Sequence, residues 1–188
     1  FGKLVAGKPL AVYKGDDSRG EYIYKFVSAA NWDAADSNPT NRITTGDKYL
    51  DSGKLYVAKF NADGSGQWIE LSLSTAAIAN YATYRFADNA DVIVNARLAA
   101  DAVGATKMDR PEWNAVNPAN GEIYFTLTNN SNRSVNPSGS QYLPDAANPR
   151  AYTDMKGSSA QTGNPNGHLV RMKEGTSVNT FNWDVYLF

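Results

Sequence analysis

Glu21 to Ser28, "EYIYKFVS", carries the clearest hydrophobic pattern of the chain. Tyr22, Tyr24 and Phe26 fall on one side of an extended segment, and Ile23 and Val27 on the other. A strand with two apolar faces is covered from above and below. Shorter strands surround it. Lys8 to Lys14 precedes it across the turn cluster Gly15-Asp16-Asp17-Ser18-Arg19-Gly20, and Lys54 to Phe60 leads through "NADGSGQ" into Trp68 to Leu71. Residues 29–53 are polar, with Pro39 inside, and read as a surface loop with room for one helical turn.

The period then changes. Ser74 is placed to cap a helix starting at Thr75, and a second helix is expected from Asp88 to Val103. Val92, Ala96, Ala99, Ala100 and Val103 make its apolar stripe, with Gly104 as the C-terminal cap. Extended structure resumes at Trp113 to Val116, turns tightly at Asn120-Gly121, and returns along Glu122 to Thr128. Residues 129–166, rich in Asn, Ser, Gly and Pro, read as a long irregular excursion. Gly167 to Glu174 and Thr180 to Phe188 close the chain as strands. A loose repeat of strand, hairpin turn and aromatic strand at 21–60, 113–128 and 167–188 predicts a mainly β fold. Blades of a partial β-propeller fit it, with a two-sheet sandwich as the alternative. Blade strands are assigned to 8–71 and 110–188, and a helical insertion to 74–104.

Composition narrows this. The 188 residues suffice for one sizeable core. A net charge of −1 offers no global attraction to nucleic acid or to an anionic membrane, and no run of about 20 apolar residues is present. The absence of cysteine excludes disulfides, thiolate metal ligands and cysteine nucleophiles within this chain. The start at Phe1-Gly2-Lys3 and the strand-like end at Phe188 suggest a fragment of a longer protein, without a signal peptide of its own.

Candidate chemistry centres on Lys107-Met108-Asp109-Arg110-Pro111-Glu112-Trp113. Four ionisable groups crowd into six residues here, where a plain turn would use Gly, Asn and Ser. Arg110 offers a planar fork suited to phosphate oxygens, Glu112 a carboxylate suited to a metal ion, and Pro111 restricts the backbone between them. The ordinary alternative is surface pairing with Asp109 and Lys107. Asp16, Asp17 and Glu21 form a second carboxylate cluster, read either as a solvated turn or as hard-cation ligands. His168, the only histidine, reads as structural, and Glu174 as a minor acidic-ligand candidate. Arg133, Arg150 and Arg171 either converge on an anion or lie on the surface, the surface being preferred for Arg133. Asn61-Asp63-Ser65-Gly66 imitates a calcium loop, but Ser72 stands at the closing position, so it reads as a hairpin turn.

The stretches "KPLAVYKGDDSRGEYIYKFVS", "GKLYVAKFNADGSGQWIELSL", "RLAADAVGATKMDRPEWNAVNPANGEIYFTLTNN", "NPNGHLVRMKEG" and "FNWDVYLF" resemble, in order, those of the PhoX-type bacterial alkaline phosphatases. The resemblance implies two to three blades of a six-bladed β-propeller, and a periplasmic or secreted parent. That parent would hydrolyse phosphate monoesters with calcium and iron. It further implies that Glu112 and Glu21 are metal ligands and that Arg110 binds and stabilises the phosphoryl group. Family members have N- and C-terminal regions that this chain lacks, so self-association through uncovered blade edges is expected. Two other readings compete: a calcium-dependent propeller lactonase or esterase, and an inactive structural fragment.

Overall fold

A computed structural model describes all residues from 1 to 188. Its strands are β1 (Pro9–Gly15), β2 (Arg19–Glu21), β3 (Ile23–Asn31), β4 (Gly53–Phe60), β5 (Ser65–Glu70), β6 (Met108–Asp109), β7 (Pro111–Val116), β8 (Ile123–Leu127), β9 (Tyr152–Lys156), β10 (Ser159–Gly163), β11 (His168–Glu174) and β12 (Thr180–Leu187). Its α-helices are α1 (Arg42–Leu50), α2 (Ala76–Ala79), α3 (Asn89–Val94) and α4 (Ala96–Ala102).

Eight strands join into one antiparallel sheet in the order β1-β3-β4-β5-β12-β11-β8-β7. Two four-stranded halves meet at a short junction, where Ser65, Gly66 and Gln67 of β5 face Asn182, Phe181 and Thr180 of β12. The far edges also approach each other. Asn114 of β7 donates its amide to the Tyr13 carbonyl of β1 at 3.4 Å, and Gly15 lies so close to Pro111 that a Cβ would fall 2.2 Å from its carbonyl oxygen. The sheet is therefore nearly closed and barrel-like. Separate blades were expected from the strand spacing; the finding is a continuous sheet, because β5 and β12 satisfy each other's edge groups.

The two-faced strand explains the layering. Ile23 points inward to a core shared by both halves, with Trp68, Phe125, Leu127, Val170, Met172 and Phe181 among its members. Tyr22 and Tyr24 point outward, into a second core with Val57, Leu71, Ile78, Val92, Ala99 and Ala100 beneath the helices. The helical insertion thus covers the outer face of the first half.

Local sequence accounts for the departures from expectation. The 129–166 excursion contains the β9–β10 hairpin. The loop at 29–53 contains all of α1, capped by Asn41, whose Oδ1 accepts from the amides of Ile43 and Thr44 at 3.1 and 3.2 Å. The helix expected from Asp88 to Val103 breaks at Asn95, whose side chain bonds back to the Asp91 carbonyl and carboxylate. Asp88 caps its start and Gly104 follows its end at φ 62°. Ser74 does not cap α2. Its hydroxyl shares a hydrogen bond with Ser72, and Thr75 occupies the cap position. The turn before β8 is a four-residue loop, closed by the Asn117 amide on the Glu122 carbonyl at 2.8 Å.

Across the shared core, Lys25 of β3 donates to Glu174 of β11 at 2.9 Å and to the Val178 carbonyl at 2.6 Å. Tyr13 and the Trp68 indole donate to the other carboxylate oxygen at 2.9 and 3.1 Å. Glu174 is thus committed to the scaffold, which corrects its reading as a ligand. Burial lowers the Lys25 pKa, while Glu174 acts to raise it. Lys25 is 1% exposed, so removing its partner leaves an uncompensated buried cation. Glu174→Gln is expected to lower unfolding free energy by about 3 kcal/mol in urea titration, whereas Lys25→Met in the same background recovers much of the loss.

Candidate functional site

The segment Met108 to Pro111 is buried at every position but one. Met108, Asp109 and Pro111 are buried, and the side chain of Arg110 leaves for the surface. The backbone bends there. Arg110 has φ 56°, the one residue other than glycine with positive φ. That left-handed conformation costs an L-residue about 1–2 kcal/mol. The surroundings impose it: the Arg110 carbonyl accepts from the Thr128 amide at 3.2 Å, while Asp109 is fixed from below. Outside, the guanidinium meets both oxygens of Asp17 at 3.0 and 3.1 Å. This pair is partly exposed and adds little stability.

Asp109 is completely buried. Its Oδ1 accepts from Asn130 Nδ2 at 2.8 Å and from Arg133 Nε at 2.7 Å, and its Oδ2 from Asn164 Nδ2 at 3.0 Å. Its amide donates to Asn148 Oδ1 at 3.1 Å. Arg133 continues to the carbonyls of Leu143 and Lys107 and to the Asp145 carboxylate. His168 completes the network. Its Nε2 donates to the Ala147 carbonyl at 2.7 Å, leaving Nδ1 to accept from Asn164 at 3.0 Å. Burial lowers the His168 pKa, opposed in smaller measure by the Ala147 hydrogen bond and the Asp109 charge, so the neutral ring is favoured.

The preference for Arg133 as a surface residue is therefore overturned. It is 3% exposed, because Asp109 supplies a buried countercharge. Asp109 likewise is no solvated neighbour of Arg110. His168 is structural, as expected. Arg150 stacks on Phe188, 4.0 Å from its centroid, and Arg171 pairs with Asp184, so Arg133, Arg150 and Arg171 share no common partner.

β2 and β6 pair apart from the large sheet, setting Arg19 opposite Asp109 and Glu21 opposite Met108. Asp17 thereby meets Arg110, whereas the Glu21 side chain turns to α4. Glu21 is buried; one carboxylate oxygen contacts Arg97 of α4, and Oε2 has no hydrogen-bond partner. Glu112 lies on β7, exposed, accepting only from the indole of Trp113 at 3.1 Å. No three His, Cys, Asp or Glu side chains of the chain cluster closely enough to hold a metal ion by themselves. Asn130, Asn148 and Asn164 were missed as site-forming residues. The density of Asn and Asp through 129–166 was their only trace in the sequence.

The profile described as alkaline phosphatase PhoX matches residues 3–188. The chain belongs to the PhoX family of alkaline phosphatases. Among solved structures it is similar to Pseudomonas fluorescens PhoX in complex with vanadate, a transition state analogue, at 38% identity and a TM-score of 0.73. The alignment covers 97% of this chain and 29% of that one, so the chain spans under a third of that PhoX. No curated protein sequence matches. No helix is long and apolar enough to cross a membrane.

The buried network makes two measurable demands. Asp109→Asn removes the fully buried countercharge of Arg133, leaving only the part-exposed Asp145, and is expected to cost about 3 kcal/mol of unfolding free energy, with Asp109→Leu/Arg133→Met losing less than the single variant. Because the folded-state pKa of His168 is depressed, its contribution is complete above its ordinary value of about 6.5 and declines as pH falls below it. Urea midpoints of wild type should drop between pH 6.5 and 5 more steeply than those of His168→Gln.

Proposed function

We propose that this chain supplies part of a phosphate monoesterase site, with Arg110 as the phosphate-binding and catalytic cation and Glu21 and Glu112 as metal-ligand carboxylates. The observation that carries this reading is the strained Arg110, turned outward on Asp17; separately, a buried carboxylate oxygen of Glu21 on the adjoining short ladder has no partner. Backbone strain of this kind persists where the surroundings over-determine it, and it concentrates at functional sites. An unpartnered carboxylate oxygen is a donor suited to a hard cation, and exposed Glu112 is a second. Calcium and iron accept such oxygen donors, with further ligands coming from beyond these residues.

The chain's own contribution is charge placement. A phosphoryl group in transfer spreads negative charge over its oxygens, and the forked guanidinium of Arg110 stabilises that charge more in the transition state than in the ground state. Asp17 holds Arg110 extended before a ligand arrives, and substrate would displace it as the partner. Arg97 places a positive charge against one oxygen of Glu21 and leaves the other free for a cation. Metal ions, when bound, supply the remaining countercharge and lower the pKa of the attacking water.

The two four-stranded halves, facing each other across one core, suit neighbouring blades of a β-propeller, with 8–71 and 110–188 as blade strands and 74–104 as the insertion. We assign the parent to the periplasm or the exterior, where phosphate esters are scavenged. Self-association of the isolated chain would cover the exposed Trp113 edge of β7.

In the complete protein, Glu112→Ala is expected to lose metal, by elemental analysis, together with phosphatase activity. Arg110→Gly, which accommodates the left-handed backbone, should leave metal content and stability intact, weaken inhibition by inorganic phosphate and lower kcat/KM about a hundredfold. Undiminished phosphate inhibition in Arg110→Gly would refute the role of Arg110. Hydrolysis of lactones in place of phosphate monoesters would refute the activity.

A further inference from the structure

A cavity of about 380 Å³ opens between the β9–β10 hairpin and the chain around Arg19 and Asn129. Its lining includes Arg19, Asn129, Asp154, Lys156, Gln161 and Asn166, with Met155 as the apolar exception. Two links join it to Arg110. Arg19 stands opposite Asp109 in the β2–β6 ladder, one residue from Arg110. Asn129 follows Thr128, whose amide donates to the Arg110 carbonyl. Its floor is continuous with the buried network, because Asn164, bound to Asp109, directly precedes the lining residues Pro165 and Asn166. The hairpin wall is tied down by Asn166, which donates to Asp154 at 2.7 Å and to the Tyr152 hydroxyl at 2.9 Å.

The charge balance is informative. Asp154 is already engaged by Asn166 and by the Met155 amide at 2.8 Å. Arg19 and Lys156 are exposed, and neither has a carboxylate within ion-pair distance. Two free cations therefore face one occupied carboxylate, among amide side chains able to donate or accept. A cavity of this size accommodates a single ring or a short polyol.

We propose that this cavity is the leaving-group subsite, and that Arg19 and Lys156 select phosphate monoesters whose alcohol carries a second anionic group. The inference rests on the reading of Arg110 as the phosphate-binding residue. The phosphoryl group would lie on Arg110 and the alcohol portion would extend over Asn129 toward the hairpin, where an anionic substituent meets the two cations. Arg19 and Lys156 are specificity-determining residues and take no part in bond breaking.

The test compares phenyl phosphate with 4-carboxyphenyl phosphate in the complete, metal-loaded protein, alongside calorimetric binding of 4-hydroxybenzoate. Wild type is expected to favour the carboxylated ester, mainly through KM. Arg19→Ala/Lys156→Ala should lose that preference by about tenfold in kcat/KM, roughly the worth of one charge-assisted contact, while phenyl phosphate turnover is unchanged. Arg19→Lys/Lys156→Arg should retain it. An equal effect on both esters, or no effect on either, would overturn the subsite while leaving the phosphatase reading in place. If wild type turns over neither ester, the phosphatase reading falls and calorimetry decides the subsite alone. Binding of 4-hydroxybenzoate that is abolished in the double alanine variant supports the subsite, and binding that is absent or unaltered overturns it.

Discussion

The buried pair of Asp109 and Arg133 is the constraint on which the rest of this structure depends. A carboxylate and a guanidinium removed from water survive only when their remaining lone pairs and protons are also satisfied. Asn130 and Asn164, with the carbonyls of Lys107 and Leu143, do this here, and Asn148 satisfies the Asp109 backbone amide. In doing so they draw the 129–166 excursion onto the segment that carries Arg110. A region with little regular structure thereby becomes a fixed wall, and the left-handed bend at Arg110 becomes affordable.

Above that network the chain presents charge to solvent in a particular order. Asp109 faces in, Arg110 out, Pro111 in and Glu112 out. The short β2–β6 ladder adds Asp17, Arg19 and Glu21 from a distant part of the sequence. Tyr142 secures this ladder. It packs against Gly20, where a Cβ would fall 2.5 Å from the phenol oxygen, and its own ring lies under Arg133 and Lys107. The same element, α4, supports the ladder from the other side through Arg97 on Glu21 and through Asp101, which accepts from Tyr22 and pairs with Lys107. The helical insertion is therefore part of the scaffold of the site as well as a cover for the sheet.

Much of the candidate site was readable from the chain. The crowding of charge at Lys107 to Glu112 marked it, and the family resemblance was confirmed over residues 3–188. What escaped was the division of labour within the crowd. Asp109 and Arg133 looked like surface charges because each, taken alone, is costly to bury. Only their mutual pairing, 24 residues apart, makes burial tolerable.

Local pattern alone determined the eight strands of the large sheet and most of the turns, but neither the β2–β6 ladder nor the β9–β10 hairpin. The two-faced alternation of Tyr22 to Val27 required layers on both sides, and Asp63 closed its hairpin by accepting from Ser65 within the same few residues. Tertiary structure decided the rest. Whether four-stranded units stay apart or join depends on which edge groups meet, and β5 and β12 meet through three residue pairs that no periodicity encodes. Nor does any local signal announce that Arg110 must adopt φ 56°, because that bend is imposed by Thr128 above it and a buried aspartate below. Side-chain period acts over two to four residues, whereas burial of charge and closure of a sheet are settled between residues far apart in the chain.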